Sequence, residues 1–446
     1  MRLLQEIEFT SEKAILTSLH AIGPDYIYAC AISGSDALVF KINSEDLSDY
    51  DYQKITDVYP NQITYYSGPD GYDIRVIGSE KTFGYATLIN LSEKDLSDYE
   101  TVGFARKGGW SILAPSGGVF NKCLVCGCDD SYLITYDTQS QSVVSEVQYG
   151  GGGGWIQFLT ETKDWLILGA PAVTATEGRI YVVHKQDPST YYTYTSTLFY
   201  SLGFFACSEE NLESAYFATD TYPAYIWRVY NDAPENPSYI PLPTTGYGFE
   251  NRATGVFLDY YQNTPWCVCI GGYPNYGDCF WTWDSDWSGG SITVYLWALP
   301  KDYKNIIGCG FSPHNFDISS TYSLRWFAHS VYKNYGGITM WENPLSVLST
   351  DGVEVCAEYD ASTSFDLVAA LGYYDPTNEV FAVQEFEYMM ASPGQSVVEC
   401  QTVSLSDNGW RDVGVFAVKD FDPLNFTYSE LYSAIISSNL IVARKS

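Results

Sequence analysis

Ile42-Asn-Ser-Glu-Asp-Leu-Ser-Asp-Tyr50 returns, one insertion aside, as Ile89-Asn-Leu-Ser-Glu-Lys-Asp-Leu-Ser-Asp-Tyr99. Near-copies offset by 47 to 49 residues mark a chain that repeats a structural unit. Periods of this length belong to stacked or ring-forming repeats, in which each unit buries its apolar surface against the next. Length alone would suggest several domains for 446 residues; a repeat overrides that, because its units share one core.

Around the second copy the unit divides into four short strands, Gln62–Ser67, Asp73–Ser79, Tyr85–Leu91 and Glu100–Ala105. Pro69-Asp70-Gly71 makes the first turn, and Ser92-Glu-Lys-Asp95 the third. Period-two alternation runs almost throughout, while amphipathic helical periodicity is scarce. The third strand recurs as a compact apolar run at Ala37–Ile42, Tyr85–Leu91, Tyr132–Tyr136, Arg179–His184, Ala224–Tyr230, Cys279–Asp284, Ile338–Glu342, Glu387–Ala391 and Leu440–Ala443. Nine runs give nine units, at 14–58, 62–106, 109–149, 154–199, 203–243, 253–300, 304–360, 364–405 and 410–446. Merging units within 253–405 would give eight or seven.

This pattern of four-stranded units resembles β-propeller repeat proteins in general, and it covers the whole chain. The WD dipeptide with an upstream Gly-His and the double-glycine kelch spacing are absent, so no particular family is singled out. The resemblance implies an all-β fold in one closed ring over 1–446. The ends suggest how it closes. The last unit stops one strand short, and Leu3–Phe9 is one strand too many before the first. Pairing Leu3–Phe9 onto Leu440–Ala443 would complete the ninth blade and remove an open edge.

Composition narrows function. Net charge is −31, with no Lys/Arg cluster, which excludes nucleic acid and disfavours an anionic membrane surface. A basic protein, a neutral glycan or another copy of the chain are the compatible partners. No run approaches the ~18 apolar residues of a membrane span. Glu6 and Glu8 interrupt the opening segment where a secretory signal needs apolar residues, so synthesis in the cytosol without such a signal is expected, compatible with release in a virus particle.

Cys123, Cys126 and Cys128, like Cys267 and Cys269, fall in strand-like apolar runs and read as packing residues, not zinc ligands. Gly150 to Gly154 lacks the Lys-Ser/Thr of a phosphate cradle and reads as a crossing between units. Asp284 and Asp286, in Asp-Ser-Asp-Trp-Ser-Gly289, are candidate Ca²⁺ ligands, the alternative being an ordinary turn. No other cofactor is indicated. The densest aromatic cluster runs from Trp266 to Trp287; Tyr273, Tyr276, Trp281, Trp283 and Trp287 are the candidate binding residues, as stacking platforms or interface anchors.

No nucleophile elbow, His-Glu-x-x-His, P-loop or dinucleotide motif is present. Four histidines stand far apart, although a ring could bring His20 and His314 together near its axis. Asn90-Leu-Ser and Asn425-Phe-Thr match the glycan-acceptor pattern. With no catalytic constellation, the sequence points to a non-enzymatic binding or assembly module, such as a tail, spike or decorating protein of a virion. A carbohydrate-binding or carbohydrate-active propeller and an intracellular scaffold are the alternatives.

Overall fold

The computed structural model describes the backbone of residues 3–22, 25–209, 211–221 and 224–241, and from 252 onward the strands 252–261, 264–273, 277–284, 294–298, 325–332, 335–342, 348–349, 352–360, 365–375, 380–391, 396–403, 409–419 and 435–445. The described residues form nine antiparallel sheets and two short 3-10 turns. None of their helices is long and apolar enough to cross a membrane.

Six four-stranded sheets follow one another along the chain, spanning 15–55, 58–107, 111–148, 158–196, 207–241 and 252–298. In each of them every strand pairs with its neighbours in sequence, so a sheet is a run of hairpins. The middle strands are buried on both faces; Tyr85–Leu91 is enclosed at every position after Tyr85. Fourth strands are largely exposed, as in Tyr99–Lys107. Unbroken apolar runs therefore mark strands sandwiched between sheets, and mixed strands mark the periphery.

Neighbouring sheets share cores. Tyr28, Cys30 and Val39 of the first pack on Ile63, Val76, Ile89 and Leu96 of the second. Equivalent clusters join the second to the third, the third to the fourth and the fourth to the fifth. Polar links reinforce the same seams. Gln62 Oε1 accepts from Ile112 N at 2.7 Å, Ser111 Oγ donates to Ile156 O at 2.8 Å, and Gln157 Nε2 donates to Leu202 O at 2.5 Å. Each spans 45 to 50 residues, about one sheet, so first strands and the segments leading into them are stitched from sheet to sheet.

The quoted repeat is the turn between third and fourth strands. Asp46 Oδ1 accepts from the amide and hydroxyl of Ser48, Asp95 from those of Ser97, and Asp187 from those of Ser189. Leu47 and Leu96 are buried. The Asp-Leu-Ser signature thus has two jobs, a side-chain-closed turn and an apolar pin.

The end strand corrects one expectation. Leu3–Glu8 pairs antiparallel with Tyr335–Glu342, Ile7 facing Ile338, and not with Leu440–Ala443. Arg325–Tyr332 lies on the far side of Tyr335–Glu342. The reason is Phe9, which is fully buried and stacks on Phe40 at 4.3 Å in a core shared with Leu16, Ile338 and Met340. Packing against the first sheet fixes where the strand lies, and the available edge there belongs to 335–342.

A second correction concerns the units placed at 304–360, 364–405 and 410–446. Gly352–Asp360 pairs with Leu348–Ser349 and with Ser396–Val403, while Phe365–Asp375 pairs with both Val380–Ala391 and Gly409–Lys419. Ile435–Lys445 completes that last sheet. Strands are exchanged between the expected units, so hairpin order does not hold there.

Candidate functional site

Consecutive antiparallel strands place their connections alternately at the two ends of a sheet. In the first five sheets one end carries the turns between strands two and three together with the crossings to the next sheet. The other end carries the turns between strands one and two and between three and four. The two ends differ in chemistry.

The crossing end is aromatic. Phe83 is 63% and Phe204 50% exposed, and Tyr85 and Tyr200 are exposed beside them. Phe83 sits in the turn closed by Gly84, whose amide donates to Glu80 O at 2.9 Å. Tyr200 ends a 3-10 turn whose Ser196 hydroxyl accepts from Leu198 N at 3.1 Å. Backbone closure thus holds large apolar side chains outward at little entropic cost.

Two indoles occupy the crossings around the third sheet. Trp110 and Trp155 are half-buried, their ring centroids 5.7 Å apart. Trp110 Nε1 donates to Asp129 Oδ1 at 2.7 Å and Trp155 Nε1 to Gln157 Oε1 at 3.1 Å. With both N–H groups engaged internally, the rings offer their faces. The glycine run leads into Trp155 and lies between Ser142–Gln148 and Phe158–Glu161, a crossing as its sequence suggested. All five glycines have positive φ, from 63° to 92°, a path that side-chain-bearing residues adopt only with strain. Arg179 Nη1 ties Gly150 O at 2.8 Å, and Ser131 Oγ ties Gly153 O at 2.7 Å.

The opposite end is acidic. Asp25, Glu45, Asp46, Asp49, Asp95 and Asp98 are exposed there. Lys94, Lys122 and Lys163 are exposed there too, but other bases are spent inside. Arg75 holds Asp70 through two bonds of 2.6 and 2.9 Å, both side chains fully enclosed. Lys185 meets Glu161 at 2.5 Å and the Ser116 carbonyl at 2.9 Å, and Arg228 meets Glu209. Glu93 takes Tyr28 Oη at 2.6 Å and Tyr65 Oη at 3.0 Å; burial first, then this carboxylate, drives both phenols upward, Tyr65 to about 12. The Ser48, Ser97 and Ser189 bonds hold Asp46, Asp95 and Asp187 below the usual carboxylate range.

Of the candidate binding residues, Tyr273, Trp281, Trp283 and the candidate ligand Asp284 lie on strands of the sixth sheet. Tyr273 is opposite Gly277, Trp281 opposite Cys269, Trp283 opposite Cys267 and Asp284 opposite Trp266. Tyr276, Asp286, Trp287, His314 and Asn425 lie outside the described residues. His20 is on the first strand of the first sheet, where burial pushes it down to about 4. Cys126 and Cys128 are buried free thiols raised by desolvation, and no three His, Cys, Asp or Glu side chains among the described residues converge as metal ligands. Asn90 is fully buried and donates to Glu100, which shuts it off from glycan transfer in the folded chain.

Sequence reasoning missed Phe83, Trp110, Trp155, Tyr200 and Phe204. A signal for the indoles was present: Gly-Gly-Trp occurs at 108–110 and again at 153–155, one unit apart.

No protein-family model and no curated protein sequence matches this chain. Among solved structures it is similar to a chain of "Crystal Structure of Mitotic Checkpoint Complex", with a TM-score of 0.51 and 12% identity over 77% of this chain and 95% of that one. That likeness and the repeated four-stranded sheets support a β-propeller fold.

Proposed function

We propose that the protein is a non-enzymatic docking ring that engages a protein partner through its aromatic crossing end. The ring in this reading has seven sheets: the six consecutive ones and that of Leu3–Glu8, Tyr335–Glu342 and Arg325–Tyr332. Two findings favour that count over nine. The strand Ile15–Ile22 packs against both 325–332 and 335–342, so this sheet adjoins the first. The share of the chain resembling the checkpoint-complex chain, 77% of 446 residues, also has about the length of 1–342.

The observation carrying the functional reading is the exposure of Phe83, Tyr85, Tyr200 and Phe204 at one end. Interface hot spots are rich in aromatic side chains, and among the described residues the exposed phenylalanines, Phe83 and Phe204, are both at this end. The similar solved chain is itself part of a protein complex. For this chain we propose a virion assembly, on the strength of its low charge density and aromatic surface.

The test is affinity capture from the producing cells and from purified particles, comparing the parent chain with Phe83→Ala/Phe204→Ala. The reading expects a partner retained by the parent, lost by the double variant, and retained by Asp46→Asn/Asp95→Asn. Loss through the acidic-end variant instead would place the partner on the other end. Absence from particles would remove the virion assignment alone.

A further inference from the structure

The peripheral strands of the sheets differ in how they guard their free edge. An unpaired edge is a template for another strand, and proteins blunt it with charge, proline or a bulge. Tyr50–Ile55 carries Asp51 and Lys54. Tyr99–Lys107 carries Glu100, Arg106 and Lys107, and its pairing shifts register near Tyr85. Ser142–Gln148 carries Glu146 and a register shift at Thr135, and Ser238–Pro241 ends in proline. Tyr191–Ser196, reading Tyr-Tyr-Thr-Tyr-Thr-Ser, has none of these and pairs without interruption with Gly178–His184.

Val294–Ala298 is likewise free of charge, and that strand packs against Ile435–Lys445. Among the described residues no strand covers Tyr191–Ser196 in this way: Tyr191 and Tyr192 are 41% and 38% exposed, and Thr193 and Thr195 are exposed as well. Its side chains are nonetheless anchored. Tyr191 packs edge-on against Tyr149 at 5.2 Å, Tyr192 tilts on Trp165 at 5.4 Å, and Tyr194 Oη donates to Pro234 O at 2.6 Å. A rigid, neutral, uncovered edge results.

We infer that this edge pairs with the same strand of a second copy of this chain, antiparallel about a two-fold axis. The occupant follows from charge. At −31 the chain repels its own copies over most of its surface; among the exposed peripheral strands described, only this one and Ser238–Pro241 bring no like charges face to face, and the latter ends in a proline that cannot donate to a new pair. Residues opposed across an antiparallel pair direct their backbone groups alike, so the axis passes midway between a residue and its own copy. Centred on Thr193, the pairing sets Thr193 against its copy, Tyr192 against Tyr194 and Tyr191 against Thr195. Aromatic pairs then occupy one face, and aromatic–β-branched pairs the other. The site is at the periphery and independent of the aromatic crossing end.

Sedimentation equilibrium of the full chain tests the inference. A monomer–dimer equilibrium is expected, tightening as salt rises from about 0.02 M to about 0.3 M because screening relieves the repulsion. Thr193→Lys, at an exposed position, is expected to keep the parent's thermal transition and abolish the dimer. Oxidised Thr193→Cys is expected to give a disulfide-linked dimer, while Thr195→Cys, which would face Tyr191, is not. A parent chain monomeric at every concentration and salt overturns the inference. So does a dimer that is indifferent to Thr193→Lys and forms no disulfide through Thr193→Cys, since its interface lies elsewhere. A monomer that instead binds an added Tyr-Tyr-Thr-Tyr-Thr-Ser peptide overturns it too, in favour of a foreign strand.

Discussion

Residues 15–241 and residues 348–445 are both built of antiparallel strands, yet they obey different rules of order. In the first region each strand finds its partner next door in sequence. In the second, Ser396–Val403 leaves its sequence neighbours to join Gly352–Asp360, and Phe365–Asp375 bonds to strands on either side, Val380–Ala391 next in sequence and Gly409–Lys419 well beyond it. A repeat is legible only while pairing is local. One exchanged strand keeps the apolar runs but destroys the correspondence between run and sheet.

The contrast is sharpest at the chain's beginning. Removing residues 1–9 is expected to have a larger effect than any substitution below. It strips the edge of Tyr335–Glu342 and empties the place of Phe9, so the protein should lose its cooperative transition or aggregate. Ending the chain after residue 343 should leave residues 1–343 folded, with their thermal transition retained in calorimetry. Equal damage from both truncations would erase the distinction between the regions.

Within the local region, enclosed charge comes next. Arg75→Met leaves Asp70 uncompensated and is expected to cost about 3–5 kcal/mol in urea unfolding. Lys54→Met, on the exposed outer strand with Asp36 as its partner, should leave the urea midpoint nearly unchanged, because solvent screens the pair. Comparable losses would mean that the seam between sheets is no drier than the rim.

His20 sets a pH limit on the first sheet. Folded, it stays neutral until about pH 4; unfolded, it takes its proton near 6.5. The unfolded chain therefore binds more protons between these values, and stability falls as pH drops through that window. The slope is at most about 1.4 kcal/mol per pH unit. Above pH 6.5 the contribution is fully present. His20→Phe should flatten that limb of a stability–pH curve, and an unchanged curve would assign it to other groups. Gly151→Ala should also be mild: the new methyl meets open space, and only its left-handed backbone resists, for about 1 kcal/mol.

The all-β class and the repeated four-stranded antiparallel sheets were legible because apolar runs, Asp-Leu-Ser turns and the glycine crossing each have a local cause. The partner of Leu3–Glu8 was not, since alternation states that a strand has a buried face but not which distant edge it meets. The aromatic end escaped for a related reason. Phe83 and Phe204 stand in unrelated local sequences, and only the alternation of connections between sheet ends brings them to one side. Attention went to Trp266–Trp287, where aromatic residues are dense in sequence, whereas the exposed ones described are dispersed.

The pairing of Leu3–Glu8 with Tyr335–Glu342 also carries a timetable. On the ribosome the opening strand and Phe9 are made first, while their partner emerges only some three hundred residues later. At ~5–20 residues per second that is a wait of roughly 20 to 70 s. For that interval the strand has no mate and Phe9 no enclosing core, which makes the segment a candidate for chaperone binding.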